Sequence, residues 1–125
     1  QRFECGSPNL LGAHALEASL SLLLEIGTRE IERQVLENAA ALSERLQAVP
    51  GLTIRSPKAP ARRSGIINFT VDGIDTQALY AALMQRRVIC AARGGGVRFA
   101  PHFHTPAQTL DLAVTRLRDV IDTLA

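Results

Sequence analysis

Between residues 93 and 102 the chain reads Arg93-Gly94-Gly95-Gly96-Val97-Arg98-Phe99-Ala100-Pro101-His102, three consecutive glycines with an arginine before and after. Glycine has no Cβ, so such a run can take positive φ or let a ligand approach the backbone closely. An arginine fork binds a carboxylate through two parallel hydrogen bonds and keeps its charge at any working pH. The segment suits a small carboxylate. It equally suits a flexible hairpin with two solvated arginines, and spacing alone leaves both readings open. Near the start, Gly6-Ser7-Pro8-Asn9 opens an apolar helical pattern. Free amides and a hydroxyl at a helix N-terminus form a ready phosphate site, although Ser7 is also a good cap for its own helix. His102 and His104 alternate along the chain, but no third ligand cluster accompanies them. Polar groups lining a site or surface are therefore favoured over a metal centre. Cys90 stands in an apolar run and reads as a small buried hydrophobe.

The elements that must position these residues follow from periodicity and punctuation. Ser7 as cap and Pro8 in the first turn start a helix with Leu10, Ala13, Leu16, Leu20, Leu23 and Leu24 at helical spacing. Gly27 stops it and Thr28 caps a second helix, with Ile31, Val35, Leu42 and Leu46 on one face, ending near Pro50-Gly51. Leu52-Thr53-Ile54 reads as a short strand. Ser56 to Ser64, with its prolines and basic residues (the Arg62-Arg63 pair among them), reads as an exposed loop. Gly65 to Val71 is the strongest strand signal, turned by Asp72-Gly73. Asp75 caps a helix to about Arg86, with Leu79, Ala82 and Leu83 inward. Val88 to Ala91 and Val97 to Ala100 read as strands on either side of the glycine loop. Thr105-Pro106-Ala107-Gln108 is a capping box before a final helix carrying Leu110, Val114, Leu117, Val120, Ile121 and Leu124. The order is α-α-β-β-α-β-β-α. The expected fold is α/β of the α+β type: a small, mainly antiparallel sheet with helices packed on one face.

Composition narrows the function classes. The chain has 125 residues, enough for one domain with a real core. Apolar residues at 46% against charged residues at 21% mark a globular sequence. A net charge of +2 and 4% aromatics argue against a nucleic-acid partner. The longest apolar stretch, Leu10 to Ile26, is broken by His14, Glu17 and Glu25, so no membrane span is expected. Cys5 and Cys90 do not make a disulfide framework, and a cytoplasmic setting is expected. All basic residues are arginine except Lys58, so chemistry that needs a buried lysine has almost nowhere to find one. The first residue is Gln1 rather than Met, from which an upstream part is expected.

Three segments together resemble a known family. Arg2-Phe3-Glu4-Cys5-Gly6-Ser7-Pro8-Asn9 with the later Glu25-Ile26-Gly27, then Arg63-Ser64-Gly65-Ile66-Ile67-Asn68-Phe69, then Arg93 to His104 resemble, in the same order, motifs of the class V aminotransferase-like enzymes. These are fold-type I enzymes that use pyridoxal 5′-phosphate (PLP), the cysteine desulfurases and isopenicillin N epimerase-like proteins among them. The resemblance covers essentially the whole chain. It implies that residues 1–125 are the C-terminal small domain, that the large domain with the cofactor lysine is absent, and that this chain is not active alone. It assigns Ser7 to the cofactor phosphate of the neighbouring subunit in a homodimer. Arg98 matches the arginine for the substrate α-carboxylate, and Arg93 an earlier loop arginine placed beside the substrate. The implied partners are an amino-acid substrate and the chain's own large domain. No catalytic acid or base falls within the chain. Transamination, epimerisation and β-elimination all remain open.

The departures from the family pattern are informative. Cysteine desulfurases carry a persulfide-forming cysteine in or near this loop, whereas Gly94 to Val97 has none, and Cys90 precedes Arg93. Desulfuration is therefore disfavoured. Ala100, His104 and Thr105 replace the family's usual Ser, Tyr and Asn. Two other readings of the residues stand beside the enzyme: a free-standing regulatory module that binds a small carboxylate, and a structural interaction domain in which the arginine-glycine loop is an ordinary turn.

Overall fold

The computed structural model describes residues 6–57 and 59–124; the Arg2 to Cys5 part of the first motif and Lys58 lie outside the described residues. The chain forms two compact units, 1–32 and 33–125. Their boundary falls inside a helix, where the sequence has no Pro/Gly punctuation.

The first unit contains helix α1, Leu10–Ile26. Its cap is Asn9, not Ser7: the Asn9 side chain accepts a hydrogen bond from the Gly12 amide at 2.9 Å. The helix therefore starts two residues later than a Ser7 cap implies, and among the described residues the Ser7 hydroxyl has no partner. Gly27, at φ 92°, ends the helix by donating to the Leu23 carbonyl, a conformation that costs glycine least. The leucines that recur at helical spacing are not buried: Leu10, Leu16, Leu20 and Leu24 are 65, 59, 48 and 71% exposed. Among its described residues the unit holds no sheet against which to bury them.

The second unit is a four-stranded antiparallel sheet with three helices on one face. Helix α2, Thr28–Gln47, enters it from residue 33 onward and buries Ala39, Leu42 and Leu46. Thr28 is the first helical residue rather than a cap. Strand β1, Leu52–Ile54, pairs with β2, Ile67–Val71, and the connecting loop contains a 3₁₀ turn at Pro60–Arg62. Helix α3, Thr76–Gln85, is capped as expected by Asp75, whose carboxylate accepts from the Gln77 and Ala78 amides at 3.0 Å each. Strands β3, Ala91–Arg93, and β4, Gly96–Phe99, form a hairpin before helix α4, Ala107–Leu124. The sheet order is β1-β2-β4-β3.

Alternation sets the two faces of the sheet. Ile67, Phe69 and Val71 of β2 and Val97 and Phe99 of β4 are buried, and they join Leu42, Leu46, Leu79, Leu83, Leu110, Val114, Leu117 and Val120 of the helices in one core. Phe69 and Phe99 meet edge to face with ring centres 5.0 Å apart, a favoured aromatic geometry. The opposite face carries Thr53, Asn68, Thr70 and Arg98 and is only half-covered.

Two boundaries differ from the sequence reading. Val88–Ala91 is not the third strand. Arg87 takes a left-handed turn at φ 57°, Val88 bonds back to the Leu83 carbonyl and enters the core, and pairing with β4 begins only at Ala91. Thr105 does not cap α4; its hydroxyl accepts from the His102 amide at 2.9 Å instead.

Candidate functional site: an arginine face around a glycine turn

The glycine run is first of all a hairpin device. Arg93 pairs with Gly96, leaving a two-residue connection of Gly94 and Gly95 at φ 64° and 74°. Both central residues at positive φ make a type I′ turn, the form whose twist matches the flanking strands. Gly96 has a different reason. A Cβ there would lie 2.5 Å from both Asn68 Oδ1 and the Phe69 carbonyl oxygen. The bare Cα lets the Asn68 side chain pass over β4 to reach β3, where its Nδ2 donates to the Arg93 carbonyl at 2.6 Å. The loop is thus an ordered turn rather than a flexible one.

Asn68 is the hub of this face. Its backbone amide donates to Ser56 Oγ at 2.8 Å and its carbonyl accepts from the Arg55 amide at 2.8 Å. Both backbone groups therefore face β1. In an antiparallel ladder this makes Asn68 and its β4 partner Arg98 a non-hydrogen-bonded pair, the kind whose side chains stand closest. Asn68 Oδ1 is buried and accepts no hydrogen bond among the described residues. A buried acceptor left without a donor carries its full desolvation cost, so this oxygen marks a place where a donor is missing.

Register places Arg98 and Arg93 on the same face as Asn68. Arg98 is half-buried and Arg93 exposed. Among the described residues neither side chain has an ion pair or hydrogen bond, in contrast to Arg45, which is paired with Asp111 at 2.6 Å. The structure therefore sets the two loop arginines on one face, each without an ion-pair partner among the described residues. The third site residue from the sequence, Ser7, lies in the other unit, exposed ahead of α1.

Two residues of the face escaped the sequence reading. Asn68 lies 25 residues from the carbonyl it holds, so nothing local signals it. Arg55 lies on from β1, and its Nη2 is 4.0 Å from where a Cβ on Gly95 would be.

His102, Phe103 and His104 form a small ring cluster with centres 4.7 to 5.0 Å apart. Asn38 of α2 holds it by donating to the His102 and Thr105 carbonyls at 2.8 and 3.2 Å. Cys90 is half-buried against the core rather than fully buried, and that burial raises its thiol pKa. Two surface grooves of about 280 and 300 Å³ lie elsewhere, and none of Arg55, Arg93, Arg98 or Asn68 lines either. The arginine face is one open wall.

Comparison with known proteins gives the family and the fold. The aminotransferase class-V family profile matches residues 1–112, and the chain belongs to that family. The uncharacterized aminotransferase YcbU of Bacillus subtilis is 31% identical over 119 residues, covering 94% of this chain and 30% of that protein. A probable cysteine desulfurase of Mycobacterium leprae is 35% identical over 74 residues, 59% of this chain and 18% of that one. Among solved structures, the apo cysteine desulfurase of Thermococcus onnurineus superposes with a TM-score of 0.87 at 22% identity, over 98% of this chain and 34% of that one. The mutant C-DES structure with glycine covalently linked to its PLP cofactor superposes with a TM-score of 0.65 at 21% identity, over 73% of this chain and 24% of that one. These structural likenesses establish the fold. The chain spans about a third of the length of the relatives it matches along nearly its whole extent.

Proposed function

We propose that this chain is the C-terminal small domain of a PLP-dependent enzyme acting on an amino acid, and that it supplies the substrate-carboxylate arginine and a contact to the cofactor phosphate. The observation that carries the reading is Arg98: a half-buried residue without a partner among the described residues, held on the polar face of the sheet opposite Asn68, whose buried side-chain oxygen is unsatisfied. Family membership supports the cofactor. The residues present fit it, because Asn9 takes over the capping of α1 and leaves the Ser7 hydroxyl exposed and available to a phosphate. The lone lysine of this chain is Lys58. The lysine that would carry the cofactor is assigned to a large domain, as is the rest of the pocket.

Bound PLP supplies the electron sink for bond breaking at the substrate α-carbon. The residues of this chain bind and orient. Arg98 grips the α-carboxylate bidentately, which fixes the substrate's rotation and so selects the bond to be broken. Arg93, across the turn, adds positive potential at the same carboxylate. Asn68 fixes the turn between them. The Ser7 hydroxyl donates to the phosphate, in our reading that of the partner protomer in a homodimer. A persulfide-transfer chemistry finds little support here. The β3–β4 turn is Gly94-Gly95, and Cys90, before β3, is held toward its neutral thiol by burial.

The test is to incubate the full-length protein with PLP, reduce with borohydride, and locate the added mass. Fixation of one cofactor on one lysine supports the reading. Absence of an absorption band and of any fixed mass overturns it.

A further inference from the structure

The arginine face holds more positive charge than one carboxylate needs. The β2–β4 register sets Asn68 opposite Arg98, and Arg55, the residue after β1, donates its amide to the Asn68 carbonyl at 2.8 Å, so the three form one row on the polar face. Arg93 joins them from β3, opposite Gly96. The Arg55 guanidinium extends toward the turn, its Nη2 4.0 Å from where a Cβ on Gly95 would stand. None of these three side chains meets a carboxylate among the described residues. Three like charges on one face repel each other, and an anion lying among them relieves this. Arginines with no anionic role are commonly paired or spread apart, as Arg33 is with Glu37 at 2.6 Å.

We propose that Arg55 forms a second anion subsite beside Arg98, and that the substrate is accordingly an amino acid (or the matching keto acid) with a second carboxylate. This rests on the reading of Arg98 as the α-carboxylate clamp. Arg55 and Arg98 are separated by the width of one intervening strand, so their Cα atoms stand about 10 Å apart. Two long side chains reaching inward across that gap leave room for the two carboxylates of a four- or five-carbon diacid, one to each guanidinium. Asn68 stands between them in the row, and its buried Oδ1, packed at Gly96 of β4, accepts from a guanidinium once an anion draws the arginines in. Arg55 is thus a specificity-determining residue. It discriminates between diacid and monoacid substrates without taking part in bond breaking.

The experiment is calorimetric titration of the full-length protein with glutarate and with butyrate at low ionic strength. Glutarate is expected to bind at least tenfold tighter, the scale of one charge-assisted bidentate contact. Arg55→Ala should bring the two affinities together while leaving butyrate within about twofold. Arg98→Ala should weaken both. Equal affinities in the unmodified protein, or an unchanged preference in Arg55→Ala, overturn the proposal while leaving the Arg98 clamp intact. No effect of Arg98→Ala on either ligand sinks the clamp reading instead. Arg55→Gln keeps the stem over Gly95 and should behave as Arg55→Ala. If it retains the preference, or if both variants lose several degrees of melting temperature, Arg55 is structural and the proposal fails.

Discussion

Replacing Gly96 by alanine puts one methyl group into the most constrained point of the arginine face. The new Cβ would lie 2.5 Å from Asn68 Oδ1, 2.5 Å from the Phe69 carbonyl oxygen and 3.1 Å from the Phe69 carbonyl carbon. The first conflict can be relieved by turning the Asn68 side chain away, which breaks its bond to the Arg93 carbonyl. The second cannot, because its partner is backbone. Overpacking of this kind costs about 1–3 kcal/mol, and loss of the hydrogen bond adds about 1 kcal/mol. The sum is roughly 2–4 kcal/mol, or a melting temperature lower by about 8–16 °C for a domain of this size. Urea unfolding of Gly96→Ala, Asn68→Ala and the double variant measures it. Because part of the clash is with Asn68, the methyl should cost about 1 kcal/mol less in the Asn68→Ala background. A Gly96→Ala protein within about 0.5 kcal/mol of the parent, or a strictly additive double variant, would refute the argument that Gly96 exists to let Asn68 cross the sheet.

Further expectations follow from the same structure. Phe69→Ala, at a fully buried ring in edge contact with Phe99, should destabilise by about 3–5 kcal/mol in chemical denaturation. Asp75→Ala removes the oxygen that accepts two α3 amides and should cost about 1 kcal/mol, with faster hydrogen exchange at the start of that helix. Asn38→Ala should loosen residues 102–105 in hydrogen exchange, since it frees two carbonyls held from α2, with a loss of about 1–2 kcal/mol. The thiol of Cys90, raised by burial, should alkylate at pH 8 more slowly than a peptide cysteine, as followed by mass mapping; equal or faster reaction would contradict its packing. Since its neutral form is favoured by folding, its contribution to stability is present below the ordinary thiol range and is lost as pH rises through the raised value.

The order of elements was legible from residues such as Gly27, Asp72-Gly73 and Asp75, because turns and caps act over a few residues. The core was legible in β2 and α4, where Phe69 and Leu117 sit at strict two- and 3.6-residue periods. What local signals could not settle were choices between two adequate residues. Ser7 and Asn9 are both good caps, and α1 uses Asn9. Val88 and Ala91 both sit in a strand-like run, and the type I′ turn at Gly94-Gly95 decides the register by forcing Arg93 opposite Gly96. Arg93 and Arg98 were found because they flank glycines in sequence. Arg55 and Asn68 were not, because only the pairing of β1, β2 and β4 brings them to the same row.

The most direct test of the central claim compares an amino acid with its decarboxylated amine, for instance alanine with ethylamine, as ligands of the PLP-loaded full-length protein, before and after Arg98→Ala. Spectral titration gives both dissociation constants. If Arg98 holds the α-carboxylate, the variant should bind alanine at least about tenfold more weakly while ethylamine binding is unchanged. Equal weakening of both ligands, or no change in either, would contradict it.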